Sequence, residues 1–266
     1  MLYINKRQTV YYESPSDTRG NVPTRIWGRV RDRIEMVRRG LGVDRDVYAL
    51  HWRWMGDLSG KRVLDLGCNE GNVLSIPIAE KSESYLGIDL SRPAIEKLRN
   101  KLREKGLLHA DAQAVDFLSD EFTGEFDVVY AHGVAHHFKH FEVFLKALER
   151  RLAPNGIAIT LDPLQTSLPV KVARALYRPF QADSEWEWPF TKRTFELIQE
   201  YFEIEAVQGI MGHAKWSLLL APFSREYATR VGSRLHSRDL AEAHRLGRGL
   251  WRCMVATMCW RKRTAF

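Results

Sequence analysis

From Lys61 onward, short apolar runs alternate with stretches in which apolar residues recur every three or four positions. The runs RVLDLG, SYLGIDL, FDVVYA and GIAITLD have strand length, and their connections have helical period. In SRPAIEKLRNKLREKG, Ser91 stands where an N-cap is expected, Pro93 falls in the first turn, and Gly106 marks the end. Phe141, Phe144, Leu145, Leu148 and Leu152 form one apolar stripe of the following helix, after which Pro154, Asn155 and Gly156 turn the chain into GIAITLD. Strands alternating with helices imply a mostly parallel sheet with right-handed crossovers, covered on both faces. The expected class is α/β, doubly wound.

Residues 1–57 read differently. The SPSD and RGNVP turn signals lead into IWGRVRDRIEMVRRG at helical spacing, so an N-terminal leader with one or two cap helices is expected there. The remainder, 58–266, reads as the sheet domain, with insertions expected at about 163–190 and 213–249. FEIEAVQGI is expected to be the sixth strand. LWRCMVATMCWRK, bracketed by Trp251 and Trp260, reads as the seventh strand in preference to an interfacial membrane helix, because Val255, Thr257 and the aromatics favour β structure.

The chain has 266 residues, of which 45% are hydrophobic and 27% charged, which excludes disordered and collagen-like classes. No apolar run approaches the roughly 20 residues a membrane span needs, and the start lacks the apolar core of a secretory signal. Three scattered cysteines, Cys68, Cys253 and Cys259, supply neither a disulfide framework nor a zinc site, and no metal is expected. The cytoplasm is the expected location. Net charge is +7, concentrated toward the end: residues 213–266 hold eleven Lys/Arg against Glu226, Asp239 and Glu242. A basic segment suits nucleic acid, an anionic substrate, an anionic membrane surface or plain solvation.

Ligands of open α/β sheets bind beyond the carboxyl ends of the strands. The first such end is Asp65-Leu66-Gly67-Cys68-Asn69-Glu70-Gly71, whose glycines permit close backbone approach. Asp65 and Glu70 flank this turn and oppose a pyrophosphate, favouring a ligand with cationic groups such as the ammonium and sulfonium of S-adenosylmethionine. Asp89 ends the second strand, 18 residues beyond Gly71, where an acid can accept both ribose hydroxyls of an adenosine. Asp116 beside Phe117 offers a carboxylate for an adenine amino group and a ring for the base.

VLDLGCNEGNV, GIDLS, VDFL, FDVVYAHGVAHHF and LAPNGIAIT, in that order, resemble the motifs of class I S-adenosylmethionine-dependent methyltransferases over about residues 58–162. The resemblance implies a seven-stranded Rossmann-like methyltransferase fold with helical cap insertions, and S-adenosylmethionine as cofactor, leaving S-adenosylhomocysteine as product. It implies that Asp65, Gly67, Cys68 and Gly71, with Asn69 in the same turn, surround the methionine part. Asp89, with Leu90 beside it, would meet the ribose, Asp116 and Phe117 the adenine, and Ala131 and His132 the methyl-donating end. The family's commonest loop has glycine where this chain has Asn69, the residue that next best tolerates left-handed backbone.

Methyl transfer from a sulfonium is an in-line displacement that mainly requires an aligned acceptor. A hydroxyl acceptor also needs a base, for which His132, His136 and His137 are the candidates, with packing or helix-start roles as the alternative. The leading expectation is a small-molecule methyltransferase acting on an oxygen of a lipid-like, glycan or specialised metabolite. The basic residues 213–266 allow contact at an anionic membrane surface. An RNA (tRNA) methyltransferase using Trp52, Arg53 and Trp54 is the less favoured partner reading, and a non-catalytic S-adenosylmethionine-binding protein is the third.

Overall fold

The computed structural model describes residues 32, 34–178 and 184–263. Much of the expected leader, the middle of the first insertion and the last three residues lie outside the described residues. A helical stretch over 34–40 leads into α1 (Val43–Met55). Then follow β1 (Arg62–Leu66), α2 (Ser75–Lys81), β2 (Ser84–Asp89), α3 (Arg92–Glu104), β3 (Ala110–Ala114), β4 (Phe126–His132), α4 (Phe141–Arg151) and β5 (Leu152–Pro163). The second half adds α5 (Leu168–Tyr177), α6 (Lys192–Tyr201), β6 (Phe202–Ile210), α7 (Arg225–Glu242), α8 (Arg248–Trp251) and β7 (Val255–Lys262).

The seven strands form one sheet in the order β3-β2-β1-β4-β5-β7-β6. β1 to β5 pair in parallel, and β7 inserts antiparallel between β5 and β6. Strand order reverses between β1 and β4, and that switch point is where a doubly wound sheet opens a crevice.

Period-two alternation sorts the core onto two faces. Val63, Val128, Tyr130, Ile157 and Ile159 meet Ile78 of α2 and Leu98 of α3. Their neighbours Leu64, Val129, Ala131 and Ala158 meet Phe144 and Leu145 of α4 and Phe195 of α6. A third cluster joins Val37 and Leu41, Val43 and Val47 of α1, the end of β6, and Ala228 of α7. It roofs the carboxyl edge at β5, β7 and β6.

Three local expectations need correction. Ser91 occupies the N-cap of α3 but makes no side-chain cap bond; its N–H instead donates to Asp89 Oδ1 at 2.8 Å. The Pro154-Asn155-Gly156 turn lies inside the extended span of β5, shifting its register on β4 between Leu152 and Ile157, with Asn155 at φ 62°. The final run splits: Leu250 and Trp251 close α8, and the strand begins only at Val255.

Candidate functional site

A cavity of about 330 Å³ opens at the switch point. Its floor is the end of β1 and the loop after it. There Gly67 takes φ 67°, and the N–H groups of Gly67 and Cys68 both donate to Ile88 O, at 2.8 and 3.1 Å. A Cβ on Gly67 would lie 2.3 Å from Val134 Cγ2, so only glycine fits between this turn and the segment after β4. Asn69 adopts φ 50°, so the loop keeps its left-handed step without the usual glycine.

Asp89 stands at the cavity wall with a fixed carboxylate. Oδ2 accepts from Asn69 N–H at 3.0 Å and Oδ1 from Ser91 N–H at 2.8 Å. Each oxygen retains a further lone pair for a ligand hydroxyl. Burial pushes this carboxyl above its ordinary value, against the opposing effect of the backbone donors. Asp116 Oδ1 accepts from Leu118 N–H at 2.9 Å, and the Phe117 ring is anchored among Phe122, Phe138 and Phe144.

Of the residues expected around a cofactor, Gly67, Asn69, Asp89, Leu90, Asp116 and Phe117 line this cavity. Asp65, Cys68, Gly71 and Ala131 do not; of these, Asp65, Cys68 and Ala131 are buried. The Asp65 carboxyl is fully buried, with Oδ2 accepting from Ser75 Oγ at 2.6 Å and Tyr85 Oη at 2.7 Å. Burial outweighs those two bonds and pushes its pKa up to about 6. Glu70 pairs with Lys97 at 3.0 Å, which holds its carboxyl below the ordinary range. The two acids flanking the turn are therefore not what faces a ligand; Asp89 and Asp116 supply the negative wall.

The three candidate histidines occupy three different situations. His136 is buried, and Asp162 Oδ1 accepts from both its Nδ1 and its backbone N–H, at 2.9 and 3.0 Å. It lines neither cavity and ties the turn after β4 to the end of β5. His137 lines the main cavity, its Nδ1 donating to Trp186 O at 2.8 Å. That bond fixes the tautomer and makes Nε2 the basic nitrogen. His132 lines a second, smaller cavity of about 30 Å³, together with Arg38, Asp44, Tyr48 and apolar residues including Val43, Val47, Leu161 and Met211. Burial lowers its pKa below the ordinary histidine value, so it is neutral at pH 7.

Around His132 stand the rings of Tyr48, His51 and Tyr130, with centroids 5.9, 6.0 and 6.1 Å away. His51 is a residue that sequence reasoning missed. Thr257 Oγ1 donates its one proton to Thr160 O at 2.7 Å, so in its 2.7 Å contact with His51 Nε2 the histidine must donate. Nδ1 then accepts from Tyr130 O–H at 3.0 Å. Burial pushes His51 down to about 3, so it remains a neutral strut. Lying on α1 before the first strand, it followed no strand end that could have flagged it. The apolar lining residues Ile88, Val115, Val134 and Phe138, and Ser91, were also missed, because only the fold brings them to one edge.

The site suits an adenosine-bearing cation: two carboxylates at the wall, an apolar slot, and a glycine that keeps the floor open. Residues 64–158 match the family described as "Methyltransferase domain". The chain is 29% identical over 189 residues to the phthiotriol/phenolphthiotriol dimycocerosates methyltransferase 1 of Mycobacterium ulcerans, covering 70% of this chain and 63% of that protein. It is 28% identical over 158 residues to the fatty-acid O-methyltransferase of Mycolicibacterium smegmatis, covering 58% and 51% respectively. The chain thus spans less than two thirds of the length of these curated relatives. In fold it is similar to the N-methyltransferase NodS of Bradyrhizobium japonicum in complex with S-adenosylhomocysteine, with TM-score 0.54, 12% identity, and coverage of 87% of this chain and 99% of that one. The ordered strand-end motifs, the sheet order and the matched domain agree: over residues 64–158 the chain carries a methyltransferase domain of the class I S-adenosylmethionine-dependent type.

Proposed function

We propose that the protein transfers a methyl group from S-adenosylmethionine to an oxygen of a small, lipid-like acceptor. The observation that carries this reading is the junction of the two cavities: His132 lines the smaller and the next residue, Gly133, lines the larger. A donor in the large cavity and the acceptor's hydroxyl end in the small one, whose about 30 Å³ holds little more than that group, would face each other across the end of β4. Bound S-adenosylmethionine supplies a methyl group already activated on a sulfonium.

What the protein adds is binding, alignment and proton management. Asp89 accepts from the ribose hydroxyls and Asp116 from the adenine amino group, while Phe117, Ile88 and Val134 exclude water from the slot. His132 takes the acceptor's hydroxyl proton at its unprotonated ring nitrogen, and its lowered pKa keeps that nitrogen available at pH 7. Tyr48 and the strut His51 orient the ring. His137 is the alternative base, through Nε2. The largely apolar lining of the small cavity favours a hydrocarbon-bearing acceptor, in keeping with the fatty-acid and phthiotriol substrates in the relatives' names.

The described parts of 163–190 and 213–249 would serve as the cap over the acceptor, with α1 closing the other side. Three free, buried thiols fit a reducing cytoplasm. Among the described residues no helix is long and apolar enough to cross a membrane. The RNA reading loses support because Trp52 and Trp54 pack partly buried against the core, which removes their faces from base stacking.

The transfer itself is the test. Methyl-labelled S-adenosylmethionine is incubated with the protein and an extract of its source cells, and the label is partitioned. Label in the organic fraction is expected; label in nuclease-sensitive material would replace this reading with RNA methylation, and cofactor binding without transfer to any fraction would favour a sensor.

A further inference from the structure

The segment that roofs the acceptor end carries large apolar side chains on its outer surface as well as its inner one. From Ala214 to Leu220 the chain is a 3₁₀ helix, in which residues three apart eclipse each other. Ala214 and Ser217 face inward and are buried, whereas Trp216 and Leu219 share the outer side at 50% and 65% exposure. Phe223, just before the N-cap Ser224 of α7, is 88% exposed, and Tyr227 in the first turn of α7 is 48% exposed. A residue in the position of Phe223 commonly folds back onto the fourth residue of the helix, here Ala228. Phe223 does not. Leaving four large apolar side chains in water within twelve residues has no structural return.

A cation stands beside each of two of these rings. Lys215 Nζ stands 5.2 Å from the Trp216 ring and the Arg230 guanidinium 5.5 Å from the Tyr227 ring. Between residues 211 and 238 the chain has five Lys/Arg and one acid, Glu226. A second exposed stripe runs along α5, where Leu168, Val172 and Leu176 recur every four residues. The two stripes flank one turn: Arg174 of α5 donates to Met254 O at 3.4 Å, and Lys215 donates to Arg252 O at 2.6 Å. That turn leads into β7 at the carboxyl edge of the parallel strands, the edge that holds both cavities.

Apolar side chains with no polar atom, flanked by Trp and Tyr and ringed by cations, match the layering of a lipid headgroup region over acyl chains. A single-stranded nucleic acid would use the aromatic faces and the arginines but gain nothing from Leu219, Leu168 or Leu176. We propose that this edge docks on an anionic lipid surface, with Trp216, Leu219 and Phe223 entering the headgroup boundary and the basic side chains meeting the phosphates. The docked face then presents the acceptor end of the molecule to the bilayer. Docking does not depend on methyl transfer and is measured without turnover.

The probe is a vesicle of phosphatidylcholine with about one third phosphatidylglycerol, sedimented with the full chain in the absence of cofactor. The wild-type protein is expected in the pellet, less so as salt is raised or when phosphatidylglycerol is omitted. A Leu219→Ser/Phe223→Ser variant is expected to bind about tenfold more weakly or worse, from the apolar area that no longer enters the bilayer. Both positions are exposed, so its thermal melting should match the wild type. Absence of wild-type binding, or equal binding by the variant, would overturn the proposal. So would a dimer seen by light scattering that the variant dissolves, or an RNA oligonucleotide that displaces the protein from the vesicles.

Discussion

Asp89, Asp65 and His132 are three titratable side chains within the same strand-end layer, and their surroundings give them three different tasks. Asp89 is held by two backbone N–H groups with lone pairs still directed to the cavity. Asp89→Ala should weaken S-adenosylmethionine binding by about tenfold or more, the cost of losing hydrogen bonds to a charged acceptor, without altering the fold. Calorimetric titration together with a thermal melt checks both halves. Asp65 is turned away from the cavity and its pKa is raised to about 6 by burial. A folded-state pKa above the unfolded one favours the protonated form in the fold. Its stabilising effect is therefore complete below about pH 4 and lost as pH rises through 6. Asp65→Asn should accordingly gain stability relative to the wild type, by roughly 2 to 3 kcal/mol at pH 8 and by little at pH 4. Urea denaturation at the two pH values gives the answer, and an equal difference at both would remove the assignment. For His132, whose pKa burial lowers, the acid limb of the pH–rate profile should fall below the ordinary histidine value. His132→Gln should abolish that limb along with most of the turnover. A limb that persists in this variant and vanishes in His137→Gln would transfer the role to His137.

At the scale of elements, β1, the loop after it and the turn after β4 form one joint. Gly67 is its tightest point, since any Cβ there meets Val134. Gly67→Ala should destabilise the protein by about 1 to 3 kcal/mol, through positive φ and overpacking, and should raise the dissociation constant for cofactor. Adding Val134→Ala should restore part of the loss, whereas strain at φ should remain. This joint was legible in the sequence because its chemistry is local: Gly67, Asn69, Asp89 and Asp116 each follow an apolar run directly. Gly67 and Asn69 take the left-handed backbone their residue types favour. What local pattern could not show is which side of a strand end faces the ligand. Asp65 and Leu66 are neighbours on β1, yet period two sends Leu66 to the cavity and Asp65 to the opposite face beneath Tyr85. The same limit applies to the histidines of AHGVAHHF. Residues one to five apart diverge into a cavity wall, a carboxylate tether and a carbonyl tether only when β5, the segment around Trp186 and α1 close around them. His51, Tyr130 and Thr257 are far apart in sequence, and only tertiary packing makes them one network.

Across the whole molecule, the parallel half of the sheet supplies the larger cavity, and α1 with the ends of β4, β5, β6 and β7 lines the smaller one. Both lie on one edge, above which the structure sets exposed apolar and basic side chains. Net charge follows the same division, with the excess of Lys/Arg in residues 213–266. Substrate choice should therefore belong to the antiparallel end and cofactor binding to the parallel half, so changes at Tyr48 or Met211 should alter the acceptor KM and leave the cofactor affinity unchanged. The most direct measurement of the central claim is S-adenosylhomocysteine formation by the full chain and by Asp89→Ala, at sub-saturating S-adenosylmethionine with total lipid extract as acceptor. Product in step with methylated lipid is expected for the wild type, and a rate lower by about tenfold or more for the variant. No product from the wild type across the extract, or equal rates for the two proteins, would contradict it.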